Sequence, residues 1–181
     1  ILKLLVWSSD DRALPVLLEY LPEPDSAEVA AQGLIDFGPG AMQPVLQTLA
    51  VAEEDEIISL LLRVVNALGA REAIPNIIPF LDHENPMIRR LAIETLGQIP
   101  DGSAIDFLLA KLDDSDVPSQ QAAMNSITAL VEQLPSIKAE GLEKILRPLQ
   151  ATSVPLKLNF LRLLLPAQGG GYDTEQRRAA G

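Results

Sequence analysis

A nine-residue pattern of small and apolar residues recurs five times in this 181-residue chain. Each copy consists of a small residue, an apolar residue, two variable positions, two apolar positions, two variable positions and a leucine. The copies cover residues 13–21, 41–49, 73–81, 104–112 and 141–149. From one closing leucine to the next, at positions 21, 49, 81, 112 and 149, the pattern recurs after 28, 32, 31 and 37 residues. A bounded but irregular period of this length is typical of an array of helical repeats.

A second apolar segment follows each copy after a short polar break, so the repeating unit is helix, turn, helix. In the third unit, Asn85 and Pro86 predict the start of the second helix, because an N-cap residue precedes proline at the first helical position. Apolar residues then fall at spacings of three and four up to Ile99. Gly69 and Gly97 each follow a leucine and predict left-handed helix ends.

Stacking of these hairpins follows from their apolar faces, because two antiparallel helices cannot bury both of their faces alone. The chain is 48% apolar but only 4% aromatic, so leucine, isoleucine, valine and alanine must form the core. We therefore expect an all-α fold, a right-handed α-solenoid of about five hairpins, over residues 1–166. Residues 1–9 are interpreted as the end of a truncated preceding helix. Residues 167–181, which contain three consecutive glycines, are interpreted as a flexible tail or a non-native remnant.

The third unit carries a family resemblance. Residues 73–82 and 85–97 resemble the short HEAT repeat of the phycobilisome-lyase type, in which a first helix ends in Leu-Asp and a second runs Val-Arg-x-x-Ala-x-x-x-Leu-Gly. The resemblance covers about residues 14–165. Tetratricopeptide repeats are the main rival on length, but their Trp, Gly, Tyr and terminal Pro positions are not found here. Proteins of the HEAT-like class share an architecture far more than a task, so the resemblance implies a fold and leaves the activity open.

Catalytic and metal chemistry find few candidate residues. The absence of cysteine removes thiolate nucleophiles and zinc-thiolate sites, and the single histidine, His83, leaves few bases for a serine or threonine nucleophile. We expect His83 to be a solvated turn residue. The acidic runs at 53–56 and 113–116 predict carboxylate caps at the starts of second helices, and they lack the glycine and glutamate of a calcium loop. The expected protein is therefore not an enzyme and has no metal or cofactor.

The charge balance restricts the partners. With 25 acidic and 14 basic residues the formal charge is −11, which repels phosphate backbones and argues against nucleic acid, including the base-excision role known for HEAT-like folds. No stretch approaches the roughly 18 apolar residues of a membrane span, so no membrane insertion is expected. The absence of cysteine gives no sign of an oxidising compartment, and a cytoplasmic location is expected.

A candidate binding surface comes from the second helices, which line the concave face in HEAT-like arrays. Aligning units through Leu68, Leu96 and Ile127 predicts a polar ladder along that face, in contrast to a plain solvated face with one ion pair. The predicted binding residues are Leu62, Asn66, Arg90, Glu94, Gln121 and Asn125. The leading hypothesis is a non-enzymatic module that binds a helix or an extended segment of another protein. The alternative, implied only by the resemblance, is a subunit of a phycobilin lyase or a related pigment-handling protein.

Overall fold

Four helical hairpins make up the part of the chain that the computed structural model describes, residues 12–134. The hairpins are α1 (Ala13–Glu19) with α2 (Ala27–Phe37), α3 (Met42–Leu49) with α4 (Asp55–Leu68), α5 (Ile74–Ile77) with α6 (Pro86–Gln98), and α7 (Ile105–Ala110) with α8 (Val117–Gln133). The described residues contain helices, turns and no strand. The fifth copy of the pattern and the predictions for 1–9 and 167–181 lie outside this range.

The nine-residue pattern marks the first helix of each described hairpin. Its opening small residue is buried in all four copies, at Ala13, Ala41, Ala73 and Ala104. Its closing leucine is at most 2% exposed, at Leu21, Leu49, Leu81 and Leu112. These segments therefore occupy equivalent places, as the sequence predicted. The small residue admits a close neighbouring helix and the leucine seals the end of the hairpin core.

The first helices are short, and two of them tighten into 3₁₀ turns before the chain reverses. Helix α5 continues as the 3₁₀ segment Ile78–Asp82, and α7 continues as Lys111–Asp113. Pro79 explains the first change, because it has no N–H to donate to the carbonyl four residues earlier. The tightened turns bring the chain directly to the start of the next second helix.

The second helices form one continuous layer. Helix α2 packs on α4, α4 on α6 and α6 on α8, and each also packs on the first helix of its own hairpin. Contacts between consecutive second helices are more extensive than those between first helices, as expected for the inner side of a curved array. A single core of leucine, isoleucine, valine, alanine and methionine runs through all four hairpins. The predicted all-α solenoid of HEAT-like hairpins is confirmed.

Two of the three predicted helix boundaries are confirmed. Asn85 Oδ1 accepts a hydrogen bond from the Met87 N–H at 2.9 Å, with Pro86 at the first position of α6. Gly69 ends α4 in the left-handed region at φ 62°. The prediction for Gly97 was wrong, because it lies inside α6. A Cβ there would be 2.4 Å from the Ser126 Oγ and 2.8 Å from its Cα, so glycine is needed for the close approach of α6 and α8.

Candidate protein-binding face

A strict period of 31 residues relates the second helices of units two, three and four. Their N-cap residues are Glu54, Asn85 and Asp116. The same spacing makes Leu62, Ile93 and Met124 equivalent, and all three side chains are at most 2% exposed. The N-caps and the burial pattern thus define the same register, which fixes the positions that can face outward.

This register corrects the predicted ladder. Leu68 and Leu96 are 28 residues apart, so aligning the units through them displaced the second unit by nearly one helical turn. Leu62 is a fully buried core residue and not a binding residue. Asn66 is half-buried and corresponds to Gly97, not to Glu94. The residues predicted in units three and four remain on the outward side.

We define the second-helix face as the two outward positions of each second helix in this register. Its members are the pairs Glu28 and Gln32, Ser59 and Arg63, Arg90 and Glu94, and Gln121 and Asn125. Ser59 and Arg90 are half-buried, and the other six are exposed. The sequence analysis missed the members from units one and two. The 31-residue spacing between Glu54, Asn85 and Asp116 was the signal that could have identified Ser59 and Arg63.

Polar side chains on this face pair with one another. Arg63 donates two hydrogen bonds to the carboxylate of Glu28, at 2.7 and 3.0 Å, and so joins the first two units. These hydrogen bonds lower the pKa of Glu28 below its ordinary value. Arg90 Nε lies 3.6 Å from Glu94 Oε1. The two acids and two bases of the face therefore balance, and the face carries no net charge.

The fourth unit contributes a pair of amides to the face. Gln121 Nε2 donates to Asn125 Oδ1 at 3.0 Å, one helical turn away. The hydrogen bond fixes the two side chains relative to each other and leaves the Gln121 carbonyl oxygen and the Asn125 amino group exposed to solvent. This end of the face is polar and uncharged.

An ion pair at the helix-turn edge sets the position of α6 against α8. Arg89 Nε and Nη2 donate to the two carboxylate oxygens of Asp114, at 3.0 and 2.9 Å. The Arg89 side chain is 13% exposed and that of Asp114 is 6% exposed, so the pair is largely desolvated. Arg89 Nη1 also donates to the carbonyl of His83 at 2.9 Å. The pair thereby fixes the two halves of the face that Arg90 and Gln121 begin.

The Asp114 carboxyl group has an acid-shifted titration for a clear reason. Burial by itself raises its pKa, but the hydrogen bonds from Arg89 and from the Asp116 N–H, with the charges of Arg89 and Lys111, lower the pKa below the ordinary 3.8. A carboxyl whose pKa is lower in the folded state stabilises the fold above its unfolded pKa. That stabilisation is lost as the pH falls through the folded pKa.

We expect the stability advantage of the wild type over Asp114→Asn to be largest at pH 7 and to shrink between pH 4 and pH 2. Urea unfolding across this range measures it. In an Arg89→Met background the same Asp114→Asn comparison should lose most of its pH dependence, because the arginine causes much of the shift. An advantage of equal size at pH 7 and pH 2 would show that the charge of Asp114 contributes nothing.

His83 is packed and not simply solvated, which corrects the prediction for this residue. Its ring centroid lies 6.2 Å from that of Phe80, and its side chain is 21% exposed. Its Nδ1 accepts a hydrogen bond from the Asn85 N–H at 3.2 Å, and its Nε2 is 3.8 Å from the Asp55 carboxylate. His83 therefore stabilises the turn before α6.

Carboxylate capping is confirmed for one of the two acidic runs. Asp116 Oδ2 accepts hydrogen bonds from the Ser119 N–H at 2.9 Å and from its hydroxyl at 2.8 Å, which caps α8. Glu54, the N-cap of α4, makes no such side-chain hydrogen bond. The run at 53–56 therefore contributes negative charge to the first turn of α4 without a cap.

Other surfaces of residues 12–134 hold few chemical groups. An open groove of about 800 Å³ lies between α1 and α3, lined by apolar side chains that include Leu18, Pro44 and the 77% exposed Val51. No group of three or more histidine, aspartate or glutamate side chains in this range is arranged to hold a metal ion. Within the same range, every helix is too short or too polar to span a bilayer.

Comparison with known proteins identifies the repeat. Residues 42–128, from α3 through most of α8, match the family model of HEAT repeats, which does not distinguish the phycobilisome-lyase type. A shorter segment is similar to a subunit of aspartyl/glutamyl-tRNA(Asn/Gln) amidotransferase from Pseudomonas savastanoi pv. phaseolicola and from Pseudomonas syringae pv. syringae. Each is 42% identical over 41 residues, which is 23% of this chain and 43% of the relative, so the chain spans less than half of their length. Residues 42–128 therefore form a HEAT-repeat segment.

Proposed function

We propose that this chain is a non-enzymatic protein-binding module whose second-helix face holds a segment of another protein. HEAT repeats commonly mediate protein–protein interaction. The observation that carries the proposal is the continuous layer of second helices, which presents polar pairs at equivalent places on every described unit. These side chains are outside the core, so the fold does not need them for packing.

The dimensions of the face suit a linear partner. Packed helices lie about 8–10 Å apart, so four second helices in series give a strip about 27 Å long. An extended segment of about eight residues, at roughly 3.3 Å per residue, covers that length. A helix of about five turns also covers it. A segment of this size can contact all four units at once.

A matched pair of triple variants tests the proposal. The face variant combines Arg90→Ala, Glu94→Ala and Asn125→Ala. The control combines Gln43→Ala, Gln47→Ala and Asp106→Ala, which remove three exposed polar side chains from first helices. We expect proteins that co-purify with the wild type and with the control to bind the face variant at least about tenfold more weakly, a loss of about 1.4 kcal/mol. Equal affinity of a purified partner for both variants would assign binding to another surface.

A pigment-handling role is the alternative, and the apolar groove between α1 and α3 is the described feature that favours it. A bound tetrapyrrole would change its absorption spectrum, because its conformation and environment change on binding. Titration of the protein with a free bilin measures this. A shifted band that disappears in a Leu18→Glu variant would support the alternative, and an unchanged spectrum would remove it.

A further inference from the structure

We infer that Gln121 and Asn125 bind the main chain of an extended polypeptide segment. The inference rests on the proposed function and specifies the chemistry of its partner. It follows from the hydrogen-bonding groups that the second-helix face leaves unused.

The charged members of the face have little left to offer a partner. Glu28 receives both hydrogen bonds of Arg63, and Arg90 lies beside Glu94. A charged partner would have to break one of these pairs, and it would meet no net charge in return. Recognition therefore depends on groups whose hydrogen-bonding capacity is not already used.

The amide pair has such capacity. An amide side chain offers two N–H donors and a carbonyl acceptor, and the Gln121–Asn125 bond uses one donor of the first and the acceptor of the second. The Gln121 carbonyl oxygen and the Asn125 amino group make no other hydrogen bond within residues 12–134. Both side chains are exposed, and their mutual bond holds an acceptor and a donor side by side. Such fixed geometry lowers the entropy lost on binding.

An extended segment matches this arrangement better than a helix does. In an extended chain, the N–H and C=O of one residue point to the same side and can pair with one acceptor and one donor. A helix uses its main-chain N–H and C=O groups internally, except at its ends. At roughly 3.3 Å per residue, an extended chain passes from α8 to α6 in about three residues. Its next side chains then lie over Arg90 and Glu94.

The support beneath the amides is rigid. The Ser126 hydroxyl donates to the carbonyl of Ile93 at 3.1 Å inside the α6–α8 contact, and Gly97 allows the two helices to touch there. The Arg89–Asp114 pair fixes the same junction at its edge. The amides therefore stand at a constant distance from the neighbouring pair on α6.

The test uses a displayed library of random 12-residue peptides selected on the whole chain. The site variant is Gln121→Leu with Asn125→Leu. The matched control is Gln43→Leu with Gln47→Leu, an exposed amide pair of the same spacing on first helix α3. Selected peptides are then resynthesised with one main-chain N-methyl group, or one amide-to-ester replacement, at each position in turn.

We expect peptides that bind the wild type and the control alike to lose at least about tenfold in affinity for the site variant. The loss should recur when the peptide N–H at one or two particular positions is methylated or replaced by an ester. Affinity should change little between low and high salt, because the face has no net charge.

The other outcomes separate the inference from the proposed function. Peptides that depend on Arg90, Glu94 or Gln121 but tolerate every main-chain replacement would overturn main-chain recognition and leave the binding face in place. Peptides that depend on no residue of the face would overturn both. A library that yields no peptide retained at micromolar concentration would overturn the inference, while the co-purification test still decides the proposed function.

Discussion

Replacing Gly97 by alanine is expected to lower the free energy of unfolding by about 2–3 kcal/mol. The added Cβ would be 2.4 Å from both the Cβ and the Oγ of Ser126, and 2.8 Å from its Cα. A rotation of the serine side chain cannot relieve contact with its Cα, so α6 and α8 must separate. In an unconstrained helix the same substitution would be stabilising by about 0.5–1 kcal/mol. The sign of the effect therefore distinguishes the packed junction from an ordinary helix.

Urea denaturation followed by circular dichroism measures this effect. Gln98→Ala, at the exposed neighbouring position, is the control and should change stability by less than about 0.5 kcal/mol. In a Ser126→Gly background, Gly97→Ala should cost less, because two of the three close atoms are gone. A stabilised Gly97→Ala variant would show that the two helices lie too far apart for Ser126 to require glycine.

Replacing Arg89 by methionine is expected to lower the free energy of unfolding by about 3 kcal/mol or more. The substitution keeps most of the side-chain volume but leaves the Asp114 carboxylate, 6% exposed, without its cation. It also removes the donor to the His83 carbonyl. An uncompensated charge in a desolvated position costs far more than the intact pair contributes, so the loss comes mainly from the group left behind.

Arg90→Met provides the matched control one residue along the same helix. Its side chain is 37% exposed and pairs only with Glu94 in the same helix, so we expect a loss of about 0.5 kcal/mol or less. The double variant Arg89→Met with Asp114→Leu should recover much of the stability, because no unpaired charge remains. Equal losses for Arg89→Met and Arg90→Met would mean that Asp114 is solvated at this junction.

Much of the fold could be predicted because its cause is local in sequence. The spacing within 13–21, 41–49, 73–81 and 104–112 places one small residue and one leucine where a helical hairpin must bury them, and all eight are buried. The cap at Asn85 and the left-handed end at Gly69 also depend on a few neighbouring residues. Patterns of this kind can be read without knowing what the helices contact.

The candidate site could be predicted only in part. Arg90, Glu94, Gln121 and Asn125 were identified because units three and four share both their caps and their apolar stripes. Leu62 was placed on the surface because the closing leucines of α4 and α6 look alike. Helix α4 ends at Leu68, whereas α6 continues two residues past Leu96 to Gln98. A terminal leucine therefore does not mark a constant distance from the helix start.

The sequence by itself determined the repeat, the all-α class and which side of each first helix is buried, since these follow from the spacing of apolar residues along one helix. Only the tertiary structure decided which side chains meet across units. It paired Glu28 with Arg63 and Arg89 with Asp114, and it showed that Gly97 is required by Ser126. Those contacts join residues about 25 to 35 positions apart, and their partners depend on how far each helix is shifted along its neighbour. Interhelical packing sets that shift, and no short stretch of sequence records it.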